Sequence, residues 1–374
     1  MKATIKLSHP DILSQLPRPL LTWYQGQSAV RELPWREEPT PYHTWLSEIM
    51  LQQTRASAVI PYYQRFLATL PDIASLAACD DETLMKLWQG LGYYSRARNL
   101  KKAAIVLTDT FHGEIPGDFN DLLDLPGIGR YTASAIGSIA FGLPLPAVDG
   151  NILRVVMRVL GCREDIAKPA VKRAVEDALA PHYPTGKDAG DLNQAFMDLG
   201  ATICLPHGAP HCARCPLAPL CLAHDEGCEQ ELPVKQNKKQ RRQENLTVLL
   251  LRTEKAIALH KRPAKGLLAG LWELPHIEGH LTAEEVRAHL SARGFSVQEI
   301  HRLPDARHIF SHVEWQMRGF EVLLKDPDSG IVAEDKIPFV WASPQELAET
   351  YSIPAAFQYF LRTPAYNIRI SSGS

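Results

Sequence analysis

Apolar positions recur at helical spacing from about residue 10 to residue 200, with short breaks containing Gly and Pro. The run PYHTWLSEIMLQQTRASAVI predicts one helix, capped by Thr40 and carrying Pro41 in its first turn. Further helices are predicted around 81–90, 94–112, 119–125, 131–141, 149–160, 168–180 and 190–202. No strand-like alternation precedes residue 245. The texture then changes: LTVLLLRT, KAIALHKR and RHIFSHVEWQMRGFEVLL read as strands. Thr282 to Arg293, with Thr282 and Glu285 at capping-box spacing, and Ser343 to Tyr351 read as helices. The pattern predicts a multidomain chain, all-α first and α+β after it, with no internal repeat.

The stretch 226–245, EGCEQELPVKQNKKQRRQEN, is nearly devoid of apolar residues, and five of the eight residues 235–242 are Lys or Arg. It reads as an exposed linker, either a solvated spacer or a phosphate-binding strap. The predicted boundaries are a helical domain at 1–229, a basic linker at 230–245, a second domain at 246–366 and a tail at 367–374.

Composition adds bounds. The chain has 374 residues, 45% hydrophobic and 22% charged, as in soluble globular proteins. No apolar run approaches the ~20 residues of a membrane span, and MKATIKLSHPDIL lacks the apolar core of a secretory signal. A net charge of −2 means that any nucleic-acid surface is a local patch.

Of seven cysteines, Cys79, Cys162 and Cys228 are scattered, while Cys204, Cys212, Cys215 and Cys221 follow C-x7-C-x2-C-x5-C. A disulfide scaffold does not suit a large chain with no export signal. Iron–sulfur and zinc sites both accept four thiolates, and Cys228 is a fifth candidate ligand. Zinc sites usually show two close pairs, and here only Cys212 and Cys215 are so paired.

LPGIGRYTA, residues 125–133, places Gly127 and Gly129 between two helix-like segments. A nest of amides at a helix start binds phosphate. With no preceding strand and no third glycine, a dinucleotide fold does not apply. A helix-hairpin-helix gripping a DNA phosphate and a plain interhelical turn both remain. Asp149 follows Tyr131 by eighteen residues, in PAVDGNILRV. Trp45, Glu48 and Gln52 fall on one helical face, with Ile49 and Met50 beside the glutamate. A carboxyl among apolar neighbours is costly as an ion, so its pKa rises and it can serve as a general acid. Taken alone, a surface position or an ion pair is the favoured reading of Glu48, and Asp149 could simply cap the following helix.

Helix, hairpin, helix and an aspartate-bearing loop together resemble the helix-hairpin-helix DNA glycosylase superfamily. PWR…PYHTWLSEIMLQQT, LWQGLGYYSRARNLKKAA, LPGIGRYTA and VDGN, over about 34–221, resemble its MutY family of adenine DNA glycosylases. The resemblance implies an all-α glycosylase domain with an iron–sulfur loop at 204–221. A [4Fe–4S] cluster would be held by Cys204, Cys212, Cys215 and Cys221. The family spacing is C-x6-C-x2-C-x5-C, so this chain has one extra residue in the first gap. By the same resemblance Glu48 is the acid and Asp149 the carboxylate near the sugar, with Tyr131 and Asn151 positioning them. Some superfamily members carry a lysine where this chain has Tyr131. That lysine forms a Schiff base and cuts the strand, so its absence implies base removal with little or no lyase activity. Leu91 and Tyr93 are candidate wedges between bases, beside Arg96, Arg98, Lys101 and Lys102 for phosphates. Gln53 is a candidate to fill the gap left by the flipped base, and Arg36 to line the base pocket.

GLLAGLWELP followed by a helix resembles a Nudix-type hydrolase fold. A working Nudix helix reads R-E-U-x-E-E-x-G. Aligned on Arg287 and Gly294, this chain reads RAHLSARG, with Ala288, Ser291 and Ala292 where glutamates belong. Without them a hard cation has no site, and pyrophosphate hydrolysis is not expected. The likeness implies a recognition domain, with Phe310, Ser311 and His312 at a strand-turn tip sensing 8-oxoguanine; an ordinary hairpin is the other reading. The implied protein is a cytoplasmic, DNA-associated, monomeric glycosylase. It would hydrolyse adenine from A:8-oxoguanine or A:G mispairs in double-stranded DNA, with no membrane partner. A thymine-mismatch glycosylase of the same superfamily and a non-catalytic damage-binding protein are the alternatives.

Overall fold

The computed structural model describes residues 5, 7–26, 31–236, 240–325 and 339–362. The expected tail at 367–374, residues 363–366 of the second domain and residues 237–239 of the linker lie outside these. The chain divides into two compact units, Met1–Ala78 with Arg98–Lys238, and Cys79–Ala97 with Lys239–Ser374.

The helices run α1 (Pro17–Gln25), α2 (Pro34–Glu37), α3 (Pro41–Leu51), α4 (Ala56–Thr69), α5 (Ile73–Ala78), α6 (Asp81–Leu87) and α7 (Ser95–Thr110). They continue as α8 (Phe119–Asp124), α9 (Arg130–Phe141), α10 (Gly150–Val159), α11 (Pro169–Leu179), α12 (Lys187–Thr202) and α13 (Leu222–Asp225). Thr40 caps α3 as expected, its side chain accepting from the His43 amide. The single helix expected across residues 41–60 is instead two. α3 ends at Leu51, Gln53 takes a φ of 58° and α4 starts at Ala56. The sequence QQTRA carries no Gly or Pro to mark this break, and apolar spacing on either side runs on in phase. Gln52 is therefore the C-cap of α3, and its amide donates to Thr132 Oγ1 at 3.3 Å.

In the first unit α12 packs against α1, α9 and α10, and α3 against α9. The core includes Leu16, Leu20, Ile152, Val156, Leu192 and Phe196, all essentially inaccessible. α10 is buried from Ile152 to Val159 although it carries Arg154 and Arg158. The expected linker enters structure at both ends: Cys228 and Leu232 are buried with Ala223, and residues 242–245 open the first strand.

The second unit holds β1 (Arg242–Arg252), β2 (Ile257–Lys261), β3 (Trp272–Glu273), β4 (His276–Glu278), α14 (Ala283–Ser291), β5 (Val297–Ile309), β6 (Val313–Leu324), β7 (Phe339–Ala342), α15 (Pro344–Glu349) and α16 (Ala355–Gln358). The strands form one mixed sheet in the order β3-β2-β1-β6-β5, with β4 also paired to β1 and β7 to β2. β1 and β6 pair in parallel and the others antiparallel. Val248 to Leu251 are continuously apolar because β1 is covered on both faces. Leu246, Val248 and Leu250 join Trp315 and Phe357, whereas Leu249 and Leu251 join Val286 and Leu290 of α14. β5 is longer than the sequence suggests. It is an edge strand with two register shifts and Pro304 inside it, so no clean alternation marks its first half. The predicted capping box of Thr282 with Glu285 is present, and Ser343 forms a second one with Glu346.

Candidate active site

α3, α9 and the α10 cap converge on a cavity of about 560 Å³ in the first unit, lined by Glu48, Tyr131, Asp149, Asn151 and Arg36 among others. Glu48 projects from α3 and is 5% exposed. Its carboxyl is pushed up to about 7, chiefly by burial and in smaller part by the Asp149 charge, against the opposing Tyr131 hydroxyl and Arg36. Tyr131 Oη donates to Glu48 Oε2 at 2.7 Å. Burial and two neighbouring carboxylates hold the Tyr131 hydroxyl well above its ordinary value, so it remains a donor.

Asp149 closes the N-terminus of α10, its Oδ1 accepting from the Asn151 and Ile152 amides at 2.9 and 2.8 Å. Its Oδ2 accepts from Asn151 Nδ2 at 2.7 Å. Burial raises the Asp149 pKa, opposed by these three bonds. The residue is thus both cap and cavity carboxylate. Asn151 is fixed in turn: Arg154 donates to its Oδ1 at 3.0 Å and to the Gly200 and Cys204 carbonyls at 2.8 and 2.9 Å. A Cβ on Gly200 would lie 2.6 Å from the Asn151 Cβ, so α12 approaches this side chain as closely as a glycine allows.

Arg36 reaches the cavity from α2, where Asp198 of α12, fully buried, takes both its terminal nitrogens at 2.8 and 3.0 Å. Asp198, Arg154 and Arg158 were not singled out from the sequence. A single sequence offers no sign that acids and guanidiniums on these helices point inward rather than to solvent.

The hairpin has the geometry that its glycines require. Gly127 takes a φ of 82°, and Gly129 caps α9 without a side chain, leaving the first amides of that helix without a capping side chain. A Cβ on Gly127 would also meet the Asn99 Cβ at 2.7 Å.

Other expected DNA-contacting residues sort differently. Gln53 is exposed in the loop between α3 and α4, not one helical turn beyond Glu48. Leu91 is buried at 6% exposure, so of the two expected wedges only Tyr93, 44% exposed with a φ of 47°, stands out from the surface. Arg96 is buried too, donating to the Leu91 and Gly92 carbonyls at 3.1 Å and stacking on Trp88 and Tyr93. It shapes this loop from within. Within the second unit, Tyr93 Oη and Ser311 Oγ lie 3.0 Å apart. Ser311 and His312 are exposed at the β5–β6 turn, while Phe310 packs edge-on to Trp315 and anchors that turn.

Cys204, Cys212, Cys215 and Cys221 line one small cavity with Val155, Val159 and Leu199, and all are free thiols. Among the described residues, no three of their sulfurs lie within 4.8 Å of one another. A zinc tetrahedron with bonds of about 2.3 Å would draw them to ~3.8 Å. Arg158 donates to Cys204 Sγ at 3.1 Å, the kind of support given to a thiolate ligand. The four thiols, with Val155, Val159, Leu199 and the Arg158 guanidinium around them, can accommodate an iron–sulfur group, and Cys212 also lies close to His224 and Glu229 in an arrangement that could hold a metal ion. Cys228 does not line this cavity and packs against Leu232. No helix among the described residues is long and apolar enough to cross a membrane.

Residues 46–181 match the HhH-GPD superfamily of base excision DNA repair proteins, and residues 247–363 match the NUDIX domain. An adenine DNA glycosylase of Rattus norvegicus is 32% identical, covering 82% of this chain and 70% of that protein. One of Buchnera aphidicola subsp. Acyrthosiphon pisum is 33% identical over 80% of this chain and 83% of its own. Among solved structures, a thermostable thymine-DNA glycosylase aligns at a TM-score of 0.51 and 29% identity, covering 58% of this chain and 98% of its own. The adenine enzymes extend into the sheet unit, and with relatives matched over four-fifths of its length, the chain belongs to the adenine DNA glycosylases, N-glycosylases of base excision repair.

Proposed function

We propose that the protein is a monofunctional glycosylase that removes adenine paired with 8-oxoguanine or guanine and leaves an abasic site. The observation that carries this reading is the pair of unlike carboxyls in one cavity: Glu48, pushed up to about 7, and Asp149, held by three hydrogen bonds. Adenine leaves poorly as an anion. Protonated Glu48 gives its proton to N7 of the flipped base, and the electrons of the C1′–N9 bond pass to the purine. Asp149 as carboxylate stabilises the oxocarbenium-like sugar. Water then adds at C1′ and returns a proton to the carboxylate pair. Tyr131 and Asn151 position the two acids, and Arg36, fixed by Asp198, lines the base cavity. Tyr131 has no amine with which to form an imine, so strand cleavage is not part of the reaction.

Gly127 and Gly129 grip a backbone phosphate. Tyr93 acts at the mispair, and Ser311 distinguishes the altered edge of 8-oxoguanine, its hydroxyl both donor and acceptor. The four cysteines hold a [4Fe–4S] cluster, whose contribution is to fold the 204–221 loop for binding DNA.

Single-turnover base release tests the reading on duplexes carrying A or T opposite 8-oxoguanine, G or their normal partners, with and without alkali. Adenine release opposite 8-oxoguanine and G, with strand breaks only after alkali, is expected. Preferential thymine release, or breaks without alkali, would overturn it.

A further inference from the structure

The cysteine loop carries a second set of metal donors beside its four thiols. Cys212 opens a short turn over Cys212–Arg214, its carbonyl accepting from the Cys215 amide at 3.0 Å. His224 lies in α13, which starts directly after Cys221. Gly227, with a φ of 65°, then reverses the chain, and the Cys228 amide donates to the Ala223 carbonyl at 2.8 Å. That reversal returns Glu229 to His224. Its Oε1 lies 2.7 Å from the imidazole Nδ1 and 3.5 Å from Cys212 Sγ. One sulfur, one imidazole nitrogen and one carboxylate oxygen thus lie within 4.8 Å of one another.

This set suits a single ion. A tetrahedral zinc ion, with bonds of about 2.0–2.3 Å, sets its ligand atoms roughly 3.3–3.8 Å apart. The sulfur–oxygen separation already falls in that range, and the nitrogen–oxygen pair has to open by about half an ångström. Among the described residues no three of the cysteine sulfurs come as close together, so the mixed set is nearer to a mononuclear site than the thiols are. A thiolate and a carboxylate offset the two charges of the ion, and thiolate with imidazole favours zinc over magnesium or calcium. His224 is exposed and the other two are partly buried, so an ion can enter and water can fill the fourth position. An ordinary surface hydrogen bond accounts for His224 with Glu229, but not for a thiol directed at the same carboxylate oxygen.

We propose that Cys212, His224 and Glu229 bind one zinc ion when the loop carries no iron–sulfur cluster, Cys212 losing its thiol proton to solvent. Cys212 belongs to both ligand sets, so the two occupants exclude each other. That exclusion rests on the cluster reading given above; the zinc site does not.

The test titrates full-length protein from iron-depleted cells with cobalt(II), a coloured stand-in, and then with zinc. One equivalent of cobalt should bind with the sulfur-to-metal charge-transfer intensity of one thiolate, about a quarter of that of a four-cysteine zinc-finger standard. Zinc should displace it. His224→Ala and Glu229→Gln should each weaken zinc binding by about tenfold or more, while Cys215→Ser leaves the affinity unchanged. Protein from iron-replete cells should take up no zinc. Iron and zinc are counted in the same samples, so a missing cluster shows as missing iron and a missing site as missing zinc. Charge transfer from four thiolates, no binding at ~0.1 mM cobalt, binding untouched by both the His224 and Glu229 substitutions, or zinc uptake alongside a full complement of iron would each overturn the proposal.

Discussion

The Tyr131 hydroxyl donates to Glu48 Oε2 at 2.7 Å and opposes the burial that raises the glutamate to about 7. Removing the donor frees Glu48 to rise further, so Tyr131→Phe should move the alkaline limb of the single-turnover pH profile upward. On the proposed mechanism base release needs protonated Glu48, so in the native protein that limb is expected near pH 7. The same mechanism assigns the acidic limb to Asp149 as carboxylate, whose pKa burial raises above the ordinary aspartate value. A Tyr131→Phe profile identical to that of the native protein would refute the coupling.

Glu48→Gln keeps the shape of the side chain but removes the transferable proton. Mispair binding by gel shift should persist, while base release falls by about 10²–10⁴ or more. Undiminished release would remove Glu48 from its assigned role.

Gly200→Ala tests the support behind Asp149 without touching either carboxyl. The new methyl would sit 2.6 Å from the Asn151 Cβ, and Asn151 holds Asp149 Oδ2. Base release should drop about tenfold or more with DNA affinity nearly unchanged. A loss of affinity with an unaltered rate of release from bound complex would contradict this.

Gly127→Ala forces a φ of 82° on an L-residue and meets Asn99 at 2.7 Å. Strain of roughly 1–2 kcal/mol from the backbone alone should distort the hairpin. Affinity should fall alike for matched and mispaired duplexes, since a phosphate contact reads no sequence.

Ser311→Ala should reduce the preference for 8-oxoguanine over guanine opposite adenine, leaving the rate on A:G duplexes intact. Tyr93→Phe removes the partner hydroxyl 3.0 Å from Ser311 Oγ and should lower the same preference by a smaller factor. Equal discrimination in both variants and the native protein would exclude this pair as the sensor.

Much of this architecture was legible because local rules and tertiary burial agree. The cap at Thr40, the capping box of Thr282 with Glu285 and the change from helices to strands near residue 245 follow from residue types alone. The break after Leu51 was not legible: tertiary packing sets it where the local sequence has no breaker. Arg96 misled for a related reason, since a cation beside aromatics reads as phosphate-binding until its guanidinium is seen to satisfy two buried carbonyls. Glu48 and Asp149 were singled out by the family resemblance of the segments around them. Asp198 and Arg154, which fix their neighbours through the fold, were not.

The loop carrying Tyr93 has one more consequence. Trp88 Nε1 and Arg96 together hold the Gly92 carbonyl, Arg96 also holds that of Leu91, and Tyr93 keeps an unusual backbone angle with its ring in the open. The prow is shaped before any duplex arrives, so little ordering entropy remains to be lost on contact. The rate at which a mispair is engaged should therefore track how easily the DNA deforms at that step, with flexible or poorly stacked sites opening first.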